Sequence, residues 1–187
     1  MRDIPSSYQL RKSKIPPDEV VEAIKAFPTS SFVQKRAKLV VLLILDGFLF
    51  GHIEKLVLAD IHLDLGTISS AGMRPLSKDT LAFLKEYLKV RPQKGRTQDL
   101  FVTDFGTTVG EDTLYAGVFR WLRYEVGTDY TLRDFYQYYV DQTLKRFPLL
   151  KRPALGREMG LSSHASIVNH VLTFGDPAVD RNLEDPE

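Results

Sequence analysis

Residues 46–68 read DGFLFGHIEKLVLADIHLDLGTI, and the change of hydrophobic period inside this stretch decides the fold. Ile53, Leu56, Val57 and Leu58 crowd together as in a short apolar helix over 53–58. From Ile61 the pattern changes: Ile61, Leu63 and Leu65 alternate with His62 and Asp64, which is the period of a strand. Gly66 can then turn the chain, so that Ile68 and Met73 sit on two short antiparallel strands. This is the one convincing sheet signal in the chain. It predicts a small antiparallel hairpin or sheet at 61–75 in an otherwise helical protein.

Upstream, PPDEVVEAIKAF (16–27) opens with Pro and two acids in its first turn, and Val20, Val21, Ile24 and Phe27 recur at helical spacing. FVQKRAKLVVLLILDG (32–47) has a basic first half and a second half apolar on every side. It reads as a helix running into the core, stopped by Gly47. Downstream, Ser77 caps SKDTLAFLKEYLKV (77–90), whose Leu81, Leu84 and Leu88 form one stripe. Asp99 to Thr103 reads as a brief strand or turn. Two longer helices follow: one through Leu114, Val118, Phe119, Leu122 and Val126 and stopping at Gly127, the other through Leu132, Phe135, Tyr136, Tyr139, Val140 and Leu144. PALGREMG and HASIVNHVL predict two shorter ones.

Composition narrows the chemistry. The chain has 187 residues, 43% hydrophobic and 26% charged, with a net charge of +1, so it is neither disordered as a whole nor broadly basic. Without cysteine there are no disulfides, thiolate nucleophiles or Cys-bound metals. Four histidines, at 52, 62, 164 and 170, show no ligand spacing, and neither a metal nor a cofactor is expected. The opening MRDIPSSYQL lacks the apolar core of a signal peptide, and the run Leu39 to Leu45 is too short to span a bilayer. The expected location is cytoplasmic, or nuclear in a eukaryote, with no membrane partner.

The order of local sequences resembles the catalytic domain of the tyrosine recombinases, the phage-integrase family. IPPDEVVEAIKAF followed by an apolar helix resembles the family's opening, and Gly47, Leu56, Asp60 and Ile61 fall in step with its next landmarks. RPLSKDTLAFLKEYL, Leu100-Phe101, the helix with Trp121, YTLRDF (130–135) and MGLSS (159–163) then follow in the family's order. The resemblance runs from Ile15 to Phe174. It implies a mainly helical domain over 15–174 with a small antiparallel sheet, preceded by a flexible basic arm (1–14) and followed by an acidic tail (175–187). The family's amino-terminal DNA-clamping domain is expected to be absent.

In that family a Tyr hydroxyl attacks phosphorus, while two Arg, a Lys and two His-type residues stabilise charge and move protons, as a pentacoordinate phosphoryl group requires. Carried onto this chain, the first Arg falls on Leu49, the His before the second Arg on Tyr130, and the second Arg on Arg133. The later His falls on Leu161 and the nucleophilic Tyr on His170; the strand-loop Lys has no counterpart, although Arg74 is nearby. One of six positions keeps its chemical type. A single well-placed donor is worth roughly 3 kcal/mol in comparable sites, so the resemblance implies a site that does not cleave DNA.

Arg133 then stands as a phosphate contact, or else as the partner of Asp134, Asp129 or a backbone carbonyl. Tyr130 reads as a hydrophobic staple before a helix, and His170 as a core or rim histidine. Arg74, Lys94, Arg96, Arg120 and Arg123 complete the candidate phosphate-binding set. The basic residues 35, 36, 38 and 91, taken without the family fold, read as solvated faces. The implied function is a catalytically inactive, recombinase-like DNA-binding or regulatory protein. Its partners would be duplex DNA and either itself or an active recombinase. Two alternatives stay open: a strand-transfer enzyme rebuilt around Tyr136, Tyr138, Tyr139 or His170, and a protein-interaction module that keeps only the scaffold.

Overall fold

A capping box starts the element on which the rest is built. The Ser31 hydroxyl accepts the Gln34 amide while Gln34 Oε1 accepts the Ser31 amide, and α2 (Phe32–Leu45) proceeds from there. Every residue from Arg36 to Ile44 is buried, so α2 runs through the middle, with α1 (Asp18–Ala26), α4 (Lys78–Val90), α5 (Glu111–Arg120) and α6 (Leu132–Arg146) packed around it. Full burial of each Leu, Val or Ile is worth about 1.5–3 kcal/mol, which makes this helix the least tolerant of polar substitution. The computed structural model describes residues 14–69, 72–94, 97–147 and 154. The helices expected within 153–172 and the acidic tail lie outside the described residues.

The expected sheet is present. β1 (Ile61–His62), β2 (Thr67–Ser69) and β3 (Met73–Pro75) pair antiparallel in that order, with Ile61 opposite Ile68 and Ile68 opposite Arg74. Ile68 is fully buried and fixes which face of this small sheet meets the helices. Ser77 caps α4 by accepting the Thr80 amide, as its sequence predicts. The buried face of α4 centres on Leu84 and Tyr87, while Leu81 and Leu88 are only half-buried. The Tyr87 hydroxyl reaches the Leu100 carbonyl at 3.2 Å, a tertiary bond that draws the buried face toward Tyr87.

Two sequence readings need correction. The helix expected over 53–58 is instead α3 (Phe50–Ile53), followed by a 3₁₀ turn at Leu58–Asp60. Leu56 and Leu58 are claimed by a distant segment: the Leu100 amide donates to the Leu56 carbonyl and the Leu58 amide to the Gln98 carbonyl, both at 2.7 Å, with Val57 and Asp99 bridged. Second, the basic residues of α2 are not a solvated face. Arg36 and Lys38 are buried because their head groups cap carbonyls of other segments, Val102 at 2.5 Å and Phe27 at 2.7 Å. Their stems meanwhile cover apolar surface. Burial lowers the pKa of both. After α5 the helix widens into a π turn (Trp121–Val126) before Gly127, at φ +76, ends it.

Candidate nucleic-acid interface

The turn after α2 is where the resemblance places the first catalytic position, and its geometry is set by glycine and arginine together. Gly47 has φ +85, and a Cβ there would lie 2.3–2.8 Å from the ring of Tyr139 on α6. Only glycine meets both demands. Arg74 reaches over from β3: its guanidinium donates to the Gly47 carbonyl at 2.9 Å and the Asp46 carbonyl at 3.3 Å, and lies 4.6 Å from the Phe48 ring centroid. A cation on the last carbonyls of a helix is favoured by the helix dipole. The Asp46 carboxylate accepts the Ser77 amide at 3.0 Å and so joins this turn to the start of α4. Burial raises its pKa, against the pull of the Thr80 and Ser77 hydrogen bonds.

Leu49 follows, buried and in extended conformation ahead of α3. The amide of the next residue, Phe50, donates to the Tyr136 hydroxyl. Burial drives the Tyr136 phenol pKa well up, opposed by the Phe50 amide and by Arg74. Arg74, Tyr136, Tyr139 and the 46–50 turn thus form one packed cluster, with Leu49 presenting hydrocarbon. Burial, then Arg74 and Lys55, lower the pKa of the nearby His52.

Three turns of α6 carry the rest. Tyr130 and Phe135 stand before and inside the first turn with ring centroids 6.4 Å apart, which is the expected staple. The Asp134 carboxylate reaches back to the Thr131 amide at 2.7 Å and hydroxyl at 2.8 Å. Arg133 is half-buried at the second residue of the helix, one turn before Tyr136, so both belong to the end of α6 that meets the 46–50 turn. Tyr138 is tied to Asp18; burial, that hydrogen bond and the charges of Asp18, Glu22 and Asp141 push its phenol pKa up to about 12.

The other candidate residues scatter. Lys94 is exposed beyond α4, and Arg120 and Arg123 are exposed at the end of α5. Arg123 is paired with Asp129 at 2.5 Å. Arg96, Leu161 and His170 lie outside the described residues. Arg91, which sequence alone reads as solvated, is buried and donates to the carbonyls of Leu100, Thr97 and Asp99, so it clasps the 97–100 loop. Sequence reasoning missed Tyr136 as the residue facing the Leu49 turn; its place one turn after Arg133 was the available signal. Among the described residues no cluster of acids and histidines could hold a metal, and no helix is long and apolar enough to cross a membrane.

No family model and no curated protein matches the chain. Among solved structures it superposes on XerA recombinase with a TM-score of 0.72 over 94% of this chain. The fold resembles that of part of XerA recombinase. Identity over the match is 15%, and the match covers 62% of the XerA chain, so this chain spans less than two thirds of that protein's length. At that identity the likeness is one of architecture: a mainly helical unit with a small antiparallel sheet, as the resemblance implied.

Proposed function

We propose that the protein is a tyrosine-recombinase-like domain that holds duplex DNA by its backbone phosphates and does not cut it, as a DNA-binding or regulatory element of recombination. The observation that carries this reading is the buried Leu49 in a recombinase fold, where an arginine is expected. An apolar side chain there removes a charge-assisted donor pair from the place where a pentacoordinate phosphorus gathers negative charge. The phenol bonded beside it does not compensate. Tyr136 is buried with a raised pKa and accepts the Phe50 amide, so its hydroxyl is not disposed to ionise and attack. The recombinase-like unit is taken to run from Ile15 to Phe174, between a basic arm at 1–14 and an acidic tail at 175–187, in whichever compartment holds the DNA.

Arg133 is the residue assigned to phosphate. With a net charge of +1, binding should be weak and indifferent to base sequence, with Kd on the order of 10⁻⁴–10⁻⁶ M at physiological salt. The test is a fluorescence-anisotropy titration of labelled duplex with the parent protein and Arg133→Ala, each checked for folding by thermal melt. A clear loss in the variant supports the assignment; equal affinity places Arg133 in a structural role.

A second reading has one observation in its favour. Tyr115, Phe119 and Tyr124 are exposed by 47%, 45% and 75% on and just after α5, an aromatic surface suited to a protein partner such as a second copy or an active recombinase. Failure of the parent to bind duplex at low salt would move the function there.

A further inference from the structure

The outward face of α5 joins exposed rings to unneutralised charge. Leu114 and Val118 are buried and turn one side of the helix to the core. The other side carries Asp112, Ala116, Phe119 and Arg120, all exposed, at the spacing that makes neighbours on a helix surface. Tyr115 flanks them, its ring edge-on to Phe50 with centroids 5.6 Å apart. Beside these rings Leu122, Thr131 and Leu132 close a hollow of about 10 Å³. That is room for a water or the edge of a side chain, far below the volume of a small-molecule site. Whatever covers this face is a macromolecule.

The charges identify which one. Glu111 and Asp112 stand in the first turn of α5 and Arg120 in its last. Among the described residues none of the three makes an ion pair within the chain, whereas Arg123 just beyond is paired with Asp129. The acids repel phosphate, so duplex DNA is a poor occupant of this face. Asp112 and Arg120 lie four residues before and four after Ala116, about 12 Å apart at 1.5 Å per residue. A second α5 laid antiparallel, with the two Ala116 residues at the crossing, therefore sets Asp112 of each copy against Arg120 of the other. Phe119 of each then lies beside Tyr115 of the other, and the small Ala116 side chains let the helices approach closely. A two-fold contact requires a patch complementary to itself, and this one is.

We propose that α5 is a self-pairing surface, on which a second copy of this chain docks antiparallel through Phe119 and Tyr115, its register set by reciprocal Asp112 and Arg120 contacts. The proposal rests on the aromatic-surface reading above and names the occupant of that surface; it does not depend on whether the chain holds DNA. The rings supply the attraction, since aromatic residues dominate the cores of protein interfaces, and the charges supply orientation more than affinity. One pair of ten-residue helices buries less than about 1,200 Å², which belongs to the weak, transient class of contacts.

The test is sedimentation equilibrium of the full chain from about 10 to 500 µM, the range in which weak pairing is populated. The average mass of the parent should climb from 21.3 kDa toward twice that value. Phe119→Ser, Arg120→Glu and Asp112→Arg, each shown to be folded by thermal melt, should stay monomeric. An equimolar mixture of Arg120→Glu with Asp112→Arg should pair again, because both charge contacts are restored between unlike chains. A parent that is monomeric throughout overturns the self-pairing and leaves the aromatic surface to a different protein. A Phe119→Ser variant that pairs like the parent overturns the proposal together with the reading of α5 as a partner surface. Folded charge variants that stay monomeric when mixed overturn the antiparallel register, and with it the proposal.

Discussion

Replacing Gly47 by alanine should destabilise the protein by about 3 kcal/mol, and the structure supplies two separable reasons. At φ +85 an L-residue pays about 1–2 kcal/mol for the left-handed conformation. The new Cβ would also lie 2.3, 2.5 and 2.8 Å from three atoms of the Tyr139 ring. Relieving that overlap means moving a side chain packed between α6 and the turn, an overpacking cost of about 1–3 kcal/mol. For a chain of this length about 3 kcal/mol corresponds to a fall in Tm of roughly 6–12 °C. Urea unfolding followed by circular dichroism measures it, with Tyr139→Ala and the double variant completing a cycle. In the Tyr139→Ala background Gly47→Ala should cost only the backbone part, about 1–2 kcal/mol. A Gly47→Ala variant as stable as the parent, or one with the same cost whether or not the ring is present, would refute the account of this turn.

Arg91→Ala should cost about 2–3 kcal/mol, because hydrogen bonds from a charged donor to buried carbonyls are lost together; the folded variant should bind DNA like the parent, which titration of both under native conditions checks. Tyr136→Phe should cost about 1–3 kcal/mol by leaving the Phe50 amide without its acceptor, measured by urea unfolding. For His52 the sign follows from a folded-state pKa below the ordinary value of 6.5. The stability tied to its neutral form is complete above that value and is lost as pH falls from it toward the folded pKa, where the unfolded chain binds a proton that the folded one resists. Melts between about pH 7.5 and 5.5 should show a decline that is shallower in His52→Gln.

What sequence alone made legible follows from how local each cause is. The helices at 18–26, 32–45, 78–90 and 132–146 and the sheet at 61–75 rest on periodicity, on the cap at Ser77 and on the turn at Gly66, each a cause that lies within a few residues of its effect. The staple of Tyr130 on Phe135 was legible for the same reason. Burial of Arg36, Lys38 and Arg91 was not, because the carbonyls that accept their protons belong to other segments, 66 residues away for Arg36. The short helix was misplaced because Leu56 and Leu58 answer to Gln98 and Leu100. The candidate site shows the same division. Leu49 and Arg133 were set against family positions by the order of motifs alone, whereas the inward turn of Arg74 onto Gly47 and Asp46 and the hydrogen bond from the Phe50 amide to Tyr136 depend on tertiary placement.

The central claim, binding without cleavage, is tested most directly by one nicked suicide duplex incubated with the full chain and run in parallel on native and denaturing gels. A family-type attack on such a substrate loses its leaving strand and traps the protein covalently on phosphate. The account predicts a salt-sensitive shift on the native gel and no protein-linked DNA on the denaturing gel. A covalent species on the denaturing gel, abolished by His170→Ala or by Phe at Tyr136, Tyr138 or Tyr139, would contradict it and show that strand transfer has been rebuilt on different residues.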